Sequence, residues 1–176
     1  DNKIRECVSI NSGTEGGGGL TKIGNNCLFM LGSHVAHDCT IGNNVVIANN
    51  GSIGGHVIIS DNVIVGGLAG IHQFCRVGEG AMIGAVTMVS KDVIPFGMVV
   101  GDRCSLNGIN LIGLKRRGFS NKKILALQKD FNSLFHGDGN LKDKAEKIYN
   151  SNGKDLINII AAFILADTSR KITTPI

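Results

Sequence analysis

From Ile23 to Ile94 the chain reads, six residues at a time, IGNNCL, FMLGSH, VAHDCT, IGNNVV, IANNGS, IGGHVI, ISDNVI, VGGLAG, IHQFCR, VGEGAM, IGAVTM, VSKDVI. Every hexad opens with Ile, Val or Phe, and no residue is inserted or lost before Pro95. A fixed period dictates architecture before local propensity does. Six residues match neither the 3.6 of an amphipathic helix nor the plain alternation of a strand. They match a parallel β-helix, in which each hexad is a short strand plus a turn and its opening aliphatic points inward.

A second period is laid over the first. The hexads at Ile23, Ile41, Ile59 and Val77 begin IGNN, IGNN, ISDN and VGEG, eighteen residues apart. One coil therefore takes three hexads, and Asn26, Asn44 and Asn62 stack as a ladder. Gly and Asn suit turn positions with positive φ. Three faces per coil make a triangular prism, with coils at the usual strand spacing of about 4.8 Å.

The 176 residues, 43% hydrophobic and 18% charged, suffice for a short repeat array plus a cap. Twenty-five glycines, no Trp and one Tyr suit tight coils rather than an aromatic core. The net charge of +4 is mild, but much of the positive charge follows Lys115. That favours an acidic partner near the C-terminal part and does not point to nucleic acid. Cys7, Cys27, Cys39, Cys75 and Cys104 are odd in number and contain no C-x-x-C pair. They read as free thiols in a reducing, cytoplasmic compartment. The longest apolar run, Leu156–Ala166, is too short to span a membrane, and no signal peptide is visible. Ile4 and Ile10 already open hexads, so the array is expected to be entered partway.

Between Ile10 and Ile23 the phase slips by one residue, and Gly16–Gly19 lie in the gap. No Gly-Lys-Ser/Thr follows, so this is not a P-loop. It reads as an excursion from a prism corner, bordering a cleft. After Pro95 the pattern decays. Met98–Val100 is expected as a last strand. Ser120 caps a helix to about Phe135 with Ile124, Leu127, Phe131 and Leu134 on one face. Asn140 caps a second helix to Tyr149, and a third runs over about 154–167. The division is thus a β-helix over 1–106 and a helical unit over 107–176 that covers the coils.

The hexads at Val35, Ile53 and Ile71 share one face and carry His37, His56 and His72, with His34 just before the first. Four of the five histidines converge there. A histidine needs an orienting partner to act as a general base, and Asp38, at a corner, is the candidate beside His37.

At these residues a resemblance becomes specific. His34-Val-Ala-His-Asp-Cys, Gly54-Gly-His, Ile71-His-Gln-Phe and Gly113-Leu-Lys-Arg-Arg-Gly-Phe-Ser resemble the UDP-N-acetylglucosamine O-acyltransferases of lipid A synthesis. The likeness extends over essentially the whole chain, including Ile10-Asn-Ser-Gly-Thr. It implies a left-handed parallel β-helix, a homotrimer with sites between subunits, and several N-terminal coils beyond those present here. The implied reaction moves an (R)-3-hydroxyacyl group from acyl carrier protein to the 3-hydroxyl of UDP-N-acetylglucosamine. By the same likeness His37 is the base, Asp38 its electrostatic partner, and the Gly55 N–H an oxyanion donor. His34, His56, His72 and Gln73 resemble substrate contacts. Asn110, Arg116 and Arg117 resemble groups that meet phosphate, for which the planar guanidinium is suited. The acyl group arrives on the carrier's phosphopantetheine, so neither a metal nor another cofactor is implied, nor a covalent acyl-enzyme.

Two departures stand out. Ile112 occupies a position where a carboxylate often follows the asparagine, and Ala85 replaces a glycine of some members in the region that limits acyl length. Other readings are a zinc enzyme of the γ-carbonic anhydrase type, a trimeric scaffold without activity, and the related N-acyltransferase. The first needs three imidazoles around one metal with an open position. Paired ligands of that family lie five apart, whereas His34 and His37 lie three apart. The Gly-Leu-Lys-Arg-Arg segment favours the O-acyltransferase over the N-acyltransferase.

Overall fold

The computed structural model describes residues 1–102, 104–151, 153, 155–166 and 168–175. The fold is the left-handed parallel β-helix with C-terminal helices that the resemblance implies. Its first face carries Lys3–Ile4, Leu28–Phe29, Val46–Ile47, Ile64–Val65, Met82–Ile83 and Gly97–Val100. The second carries Ser9–Ile10, His34–Val35, Ser52–Ile53, Gly70–Ile71 and Met88–Val89. The third carries Lys22–Ile23, Thr40–Ile41, Ile58–Ile59 and Arg76–Val77. Register advances by one coil, so Ile64 lies between Val46 and Met82. The first coil differs. Lys3 faces Leu28 and Ser9 faces His34, an offset of 25 residues. The one-residue slip in phase is therefore a whole excursion, with a 3-10 turn at Glu15–Gly17.

Two inward columns fill each face. From Phe29 to Val89 every hexad opener is buried, and Ile23 is half-buried. The fifth hexad position is the second column, holding Cys27, Cys39, Val45, Val57, Val63, Ala69, Cys75 and Ala81, all buried. Full burial of one such aliphatic side chain stabilises by about 1.5–3 kcal/mol. With Cys104, four of the five cysteines are core residues, and burial pushes the Cys75 thiol up to about 11. Cys7 is the exposed thiol.

The glycines after the openers have a different cause from the one expected. Gly24 and Gly42 do not have positive φ. A Cβ on Gly24 would lie 2.6 Å from the Gly42 carbonyl oxygen in the next coil, so close stacking of backbones demands glycine. Positive φ falls instead on the fourth hexad position, at Asn26, Asn44 and Asn62, but equally at His56, Leu68, Phe74 and Val86. Asn43 sits in the ladder that ties these corners, its N–H donating to Asp61 and its Oδ1 accepting from the N–H of Asn25.

Past Pro95 the last strand of the first face turns back on itself. Ser105–Ile109 pairs antiparallel with Gly97–Val100. The expected boundary between 106 and 107 falls inside this strand, so we place the division after Ile109. Among the described residues four α-helices follow: α1 at Leu111–Arg116, α2 at Asn121–His136, α3 at Leu141–Asn150 and α4 at Leu156–Leu165. The expected limits of the third predicted helix, 154 and 167, lie outside the described residues. The sequence reading has no counterpart for α1, which begins where the Asn110 side chain accepts from the Gly113 N–H. Ser120 and Asn140 cap α2 and α3 in the same way. Helix α2 buries Ile124, Leu127, Phe131 and Leu134.

The segment after α4 completes the third face. Asp92 bridges to Ile172, and the Thr173 N–H donates to the Asp92 carbonyl. The Asp92 side chain is fully buried and accepts from the Arg76 backbone N–H, from Arg76 Nε at 2.7 Å and from Thr168 Oγ1 at 2.9 Å. The Arg76 guanidinium lies over the Phe163 ring of α4. Among the described residues no helix is long and apolar enough to cross a membrane.

Candidate active site

The second and third faces meet at a corner where His37 and Asp38 follow the strand His34–Val35. Asp38 has φ 58°, a conformation that a short polar side chain tolerates. The excursion 11–21 folds over it. Thr14 donates its N–H to Oδ1 at 3.0 Å and its hydroxyl to Oδ2 at 2.7 Å, while Thr21 Oγ1 accepts from the Asp38 N–H at 2.9 Å. The glycine loop is in contact too, since a Cβ on Gly17 would collide with the Asp38 carboxylate. The Asp38 side chain is 1% exposed. The Thr14 hydroxyl, against the opposing cost of burial and with help from His37, holds its carboxyl down at about 2.

His37 Nδ1 lies 2.8 Å from Asp38 Oδ2. An ionised carboxylate only accepts, so Nδ1 carries the proton and Nε2 is left as a bare acceptor. The His37 side chain is 41% exposed. One coil further on, His56 meets its ring edge to face, with centroids 5.2 Å apart, and its Nε2 lies 4.0 Å from Asp38 Oδ2. Phe74, another coil on, stacks on His56 at 4.6 Å. Gly55 abuts the His37 ring, and among the described residues no hydrogen bond takes up its N–H.

His37, Asp38 and His56 offer ligand atoms within 4.8 Å of one another, a spacing compatible with a cation. The donor set fits poorly, because both oxygens of Asp38 already accept from Thr14 and one also accepts from His37. It also supplies two imidazoles, not the three of the γ-carbonic anhydrase type.

The remaining expected residues are dispersed. His34 Nδ1 is 2.8 Å from Ser9 Oγ. His72 and Gln73 lie one coil beyond His56 and meet Arg170. Asn110 is 8% exposed and donates to the Gly80 carbonyl, besides capping α1. Arg117 pairs with Glu79 and lies over Phe96 and Phe119, so its guanidinium already has intramolecular partners. Arg116 is exposed, as are Lys115, Lys122 and Lys123. Glu79 and Gly80 belong to the corner between the third and first faces. A single chain therefore does not bring the α1 arginines to the histidines. Ala85 is exposed at the remaining corner.

Four residues of the site were not singled out from the sequence. Thr14 and Thr21 lie in the excursion, where the hexad gives no register. Phe74 stands at the same hexad position as His56, a periodicity that could have found it. Arg170 follows every motif, and only tertiary folding brings it near. The His37 side of the prism is open rather than enclosed, and a broad concavity among the described residues lies instead between the third face and α4.

Comparison with known proteins places the chain by sequence and by fold. Residues 92–173 match a family model described as Udp N-acetylglucosamine O-acyltransferase, Domain 2, and residues 20–55 match the bacterial transferase hexapeptide (six repeats). The acyl-[acyl-carrier-protein]–UDP-N-acetylglucosamine O-acyltransferase of Paracoccus denitrificans is 53% identical over 174 residues, covering 99% of this chain and 66% of that protein. The protein of the same name from Campylobacter lari is 52% identical over 96% of this chain and 63% of its own length. The chain thus spans just under two thirds of these relatives. Among solved structures, the UDP-N-acetylglucosamine acyltransferase from Campylobacter jejuni superposes with a TM-score of 0.92 at 41% identity, covering 98% of this chain and 68% of that one.

Proposed function

This chain belongs to the UDP-N-acetylglucosamine O-acyltransferase family, and on that premise we propose that it transfers an (R)-3-hydroxyacyl group from acyl carrier protein to the 3-hydroxyl of UDP-N-acetylglucosamine. The observation that carries the reading is the His37–Asp38 pair, with Nδ1 held at 2.8 Å and Nε2 free. His37 Nε2 removes the proton of the sugar hydroxyl as its oxygen attacks the thioester carbon. The carbonyl oxygen, becoming an oxyanion, takes a hydrogen bond from the Gly55 N–H. Collapse of the tetrahedral intermediate breaks the carbon–sulfur bond. The departing phosphopantetheine sulfur receives the proton from His37, which returns the imidazole to its starting state. The step needs neither a metal nor an acyl-enzyme. Asp38 keeps the imidazole in the required tautomer and stabilises it while it is charged.

The unit of function in this proposal is a cyclic homotrimer. The placement of His37 and the α1 end at different prism corners supports it, because a neighbouring chain would supply the second wall. His34, His56, His72, Gln73 and Asn110 contact the substrates. Arg116 attracts phosphate, and Arg117 contributes through its place at the C-cap of α1. The exposed Lys115, Arg116, Lys122 and Lys123 offer a positive surface to an acidic carrier protein. The four buried free cysteines are consistent with a cytoplasmic setting.

The test is turnover of a 3-hydroxyacyl carrier thioester with UDP-N-acetylglucosamine by the chain and by His37→Ala. The variant is expected to lose about two to four orders of magnitude, the usual worth of a general base, with its assembly unchanged. Near-full activity of a folded His37→Ala protein would remove the assigned base. An unmodified, folded chain that does not acylate the sugar nucleotide would overturn the reading.

A further inference from the structure

The segment after α4 delivers one side chain to the histidine column. Arg170 NH2 lies 2.8 Å from His72 Nδ1 and 3.0 Å from the Gln73 carbonyl oxygen. The position is over-determined. The Arg170 N–H donates to Thr168 Oγ1, that hydroxyl donates to the buried Asp92 carboxylate, and Lys171–Thr173 pair with the Asp92 backbone. The guanidinium is thus delivered by a segment pinned to the core.

A guanidinium donates and cannot accept. The terminal NH2 carries two hydrogens, and two acceptors converge on it. His72 Nδ1 must therefore be the bare imine nitrogen, and the proton of the neutral ring must sit on Nε2. The 3.3 Å separation of Nδ1 from the Gln73 oxygen fits two acceptors sharing one donor group. An Nδ1 proton could reach only that 3.3 Å oxygen, which Arg170 already engages at 3.0 Å, so the shorter 2.8 Å contact with a donor-only guanidinium sets the tautomer.

His37 is set the opposite way. Its Nδ1 faces an acceptor, Asp38, so its Nε2 is bare. We propose that Arg170 is a positioning residue that fixes His72 as the Nε2–H tautomer, making the two histidines a matched acceptor and donor. His37 Nε2 receives a proton, while His72 Nε2–H offers a hydrogen bond to an oxygen of the sugar nucleotide. The substrate part of this inference rests on the function proposed above; the tautomer part does not. Arg170 touches His72 and the backbone, and it acts through them.

The experiment uses the whole chain labelled with 15N-histidine, of which there are five. Long-range proton–nitrogen correlation at a pH where imidazoles are neutral reads each tautomer, and His72→Gln assigns the signal. Expected is an Nε2–H pattern for His72 in the unmodified chain. Arg170→Ala should move its two nitrogen shifts toward each other, and Arg170→Lys, which keeps a donor, should retain most of the bias. Arg170→Ala should also raise KM for the sugar nucleotide about 3- to 10-fold, the worth of one hydrogen bond, with kcat changed less than about two-fold. It should add little in a His72→Gln background. An Nδ1–H pattern in the unmodified chain overturns the proposal. So does an Arg170→Ala protein that melts earlier yet keeps the His72 tautomer, since that is a purely structural arginine. Absence of acyl transfer by the unmodified chain would fall on the proposed reaction and leave the tautomer result standing.

Discussion

Gly55 faces the imidazole of His37 so closely that a Cβ there would lie 2.7 Å from Cε1 and 2.8 Å from Nε2. The contact joins the proposed oxyanion donor to the proposed base. Either the ring or the backbone must yield to a methyl group. Gly55→Ala is therefore expected to lower kcat by about 10- to 1,000-fold, with the upper figure typical of a displaced oxyanion donor. The thermal midpoint should fall by only a few degrees, because the ring is 41% exposed and can swing outward. Steady-state rates beside a melting curve check this. Unchanged kcat would separate Gly55 from the chemistry.

The Thr14 clamp on Asp38 has a pH signature. The folded carboxyl is held at about 2, below its ordinary 3.8, chiefly by the Thr14 hydroxyl. A depressed folded value means that the unfolded chain binds the proton more readily in this window. The clamp's stabilisation is fully present above about pH 5 and is lost as pH falls toward 2. Thr14→Val should lower stability at neutral pH and flatten its acid dependence. Urea midpoints at pH 7 and pH 3 report it, and parallel curves for the two proteins would contradict it.

Assembly is the third expectation. The open His37 side, the exposed Leu68 and Val86 of the opposite corner and the separate α1 arginines suit a cyclic trimer. Light scattering at micromolar protein should give three times the 18.5 kDa chain mass. A monomer would remove the shared site from the account.

Acyl length is the fourth. On the second face His34, Ser52, Gly70 and Met88 form an outward column, with Met88 crossing the space beside Gly70. Ala85 stands at the neighbouring corner. One methylene changes discrimination by about 1–3 kcal/mol in a fitted pocket. Ala85→Gly is expected to move the preferred thioester longer by a carbon or two. Competition among hydroxyacyl thioesters of graded length measures it. If only Met88→Ala shifts the profile, the stop is the methionine.

The repeat was legible because it is local. Each opener from Phe29 to Val89 faces inward, and the excursion was visible as a break in phase. The cause of the Gly24 and Gly42 conservation of space was not legible, since it lies in the coil above. Helix α1 and the hairpin at Ser105–Ile109 follow from packing against Gly80 and Gly97–Val100, which no local pattern encodes. Among the site residues, His37, Asp38 and His56 were readable from motif and periodicity. Thr14 and Arg170 were not, because 24 and 98 residues separate them from Asp38 and His72.

The pairing of Asp92 with residues 171–173 also sets an order of events during synthesis. The coil edge at Asp92 stays uncovered until its partner, about eighty residues later, has been made. At about 5–20 residues per second that is a delay of roughly 4–16 s. Through that interval the growing polypeptide carries an unpaired edge, and the Asp92 carboxylate has Arg76 but not yet Thr168 as a partner. Arg170 reaches His72 only after this segment has been made, so the histidine column is completed later than the coils that carry it.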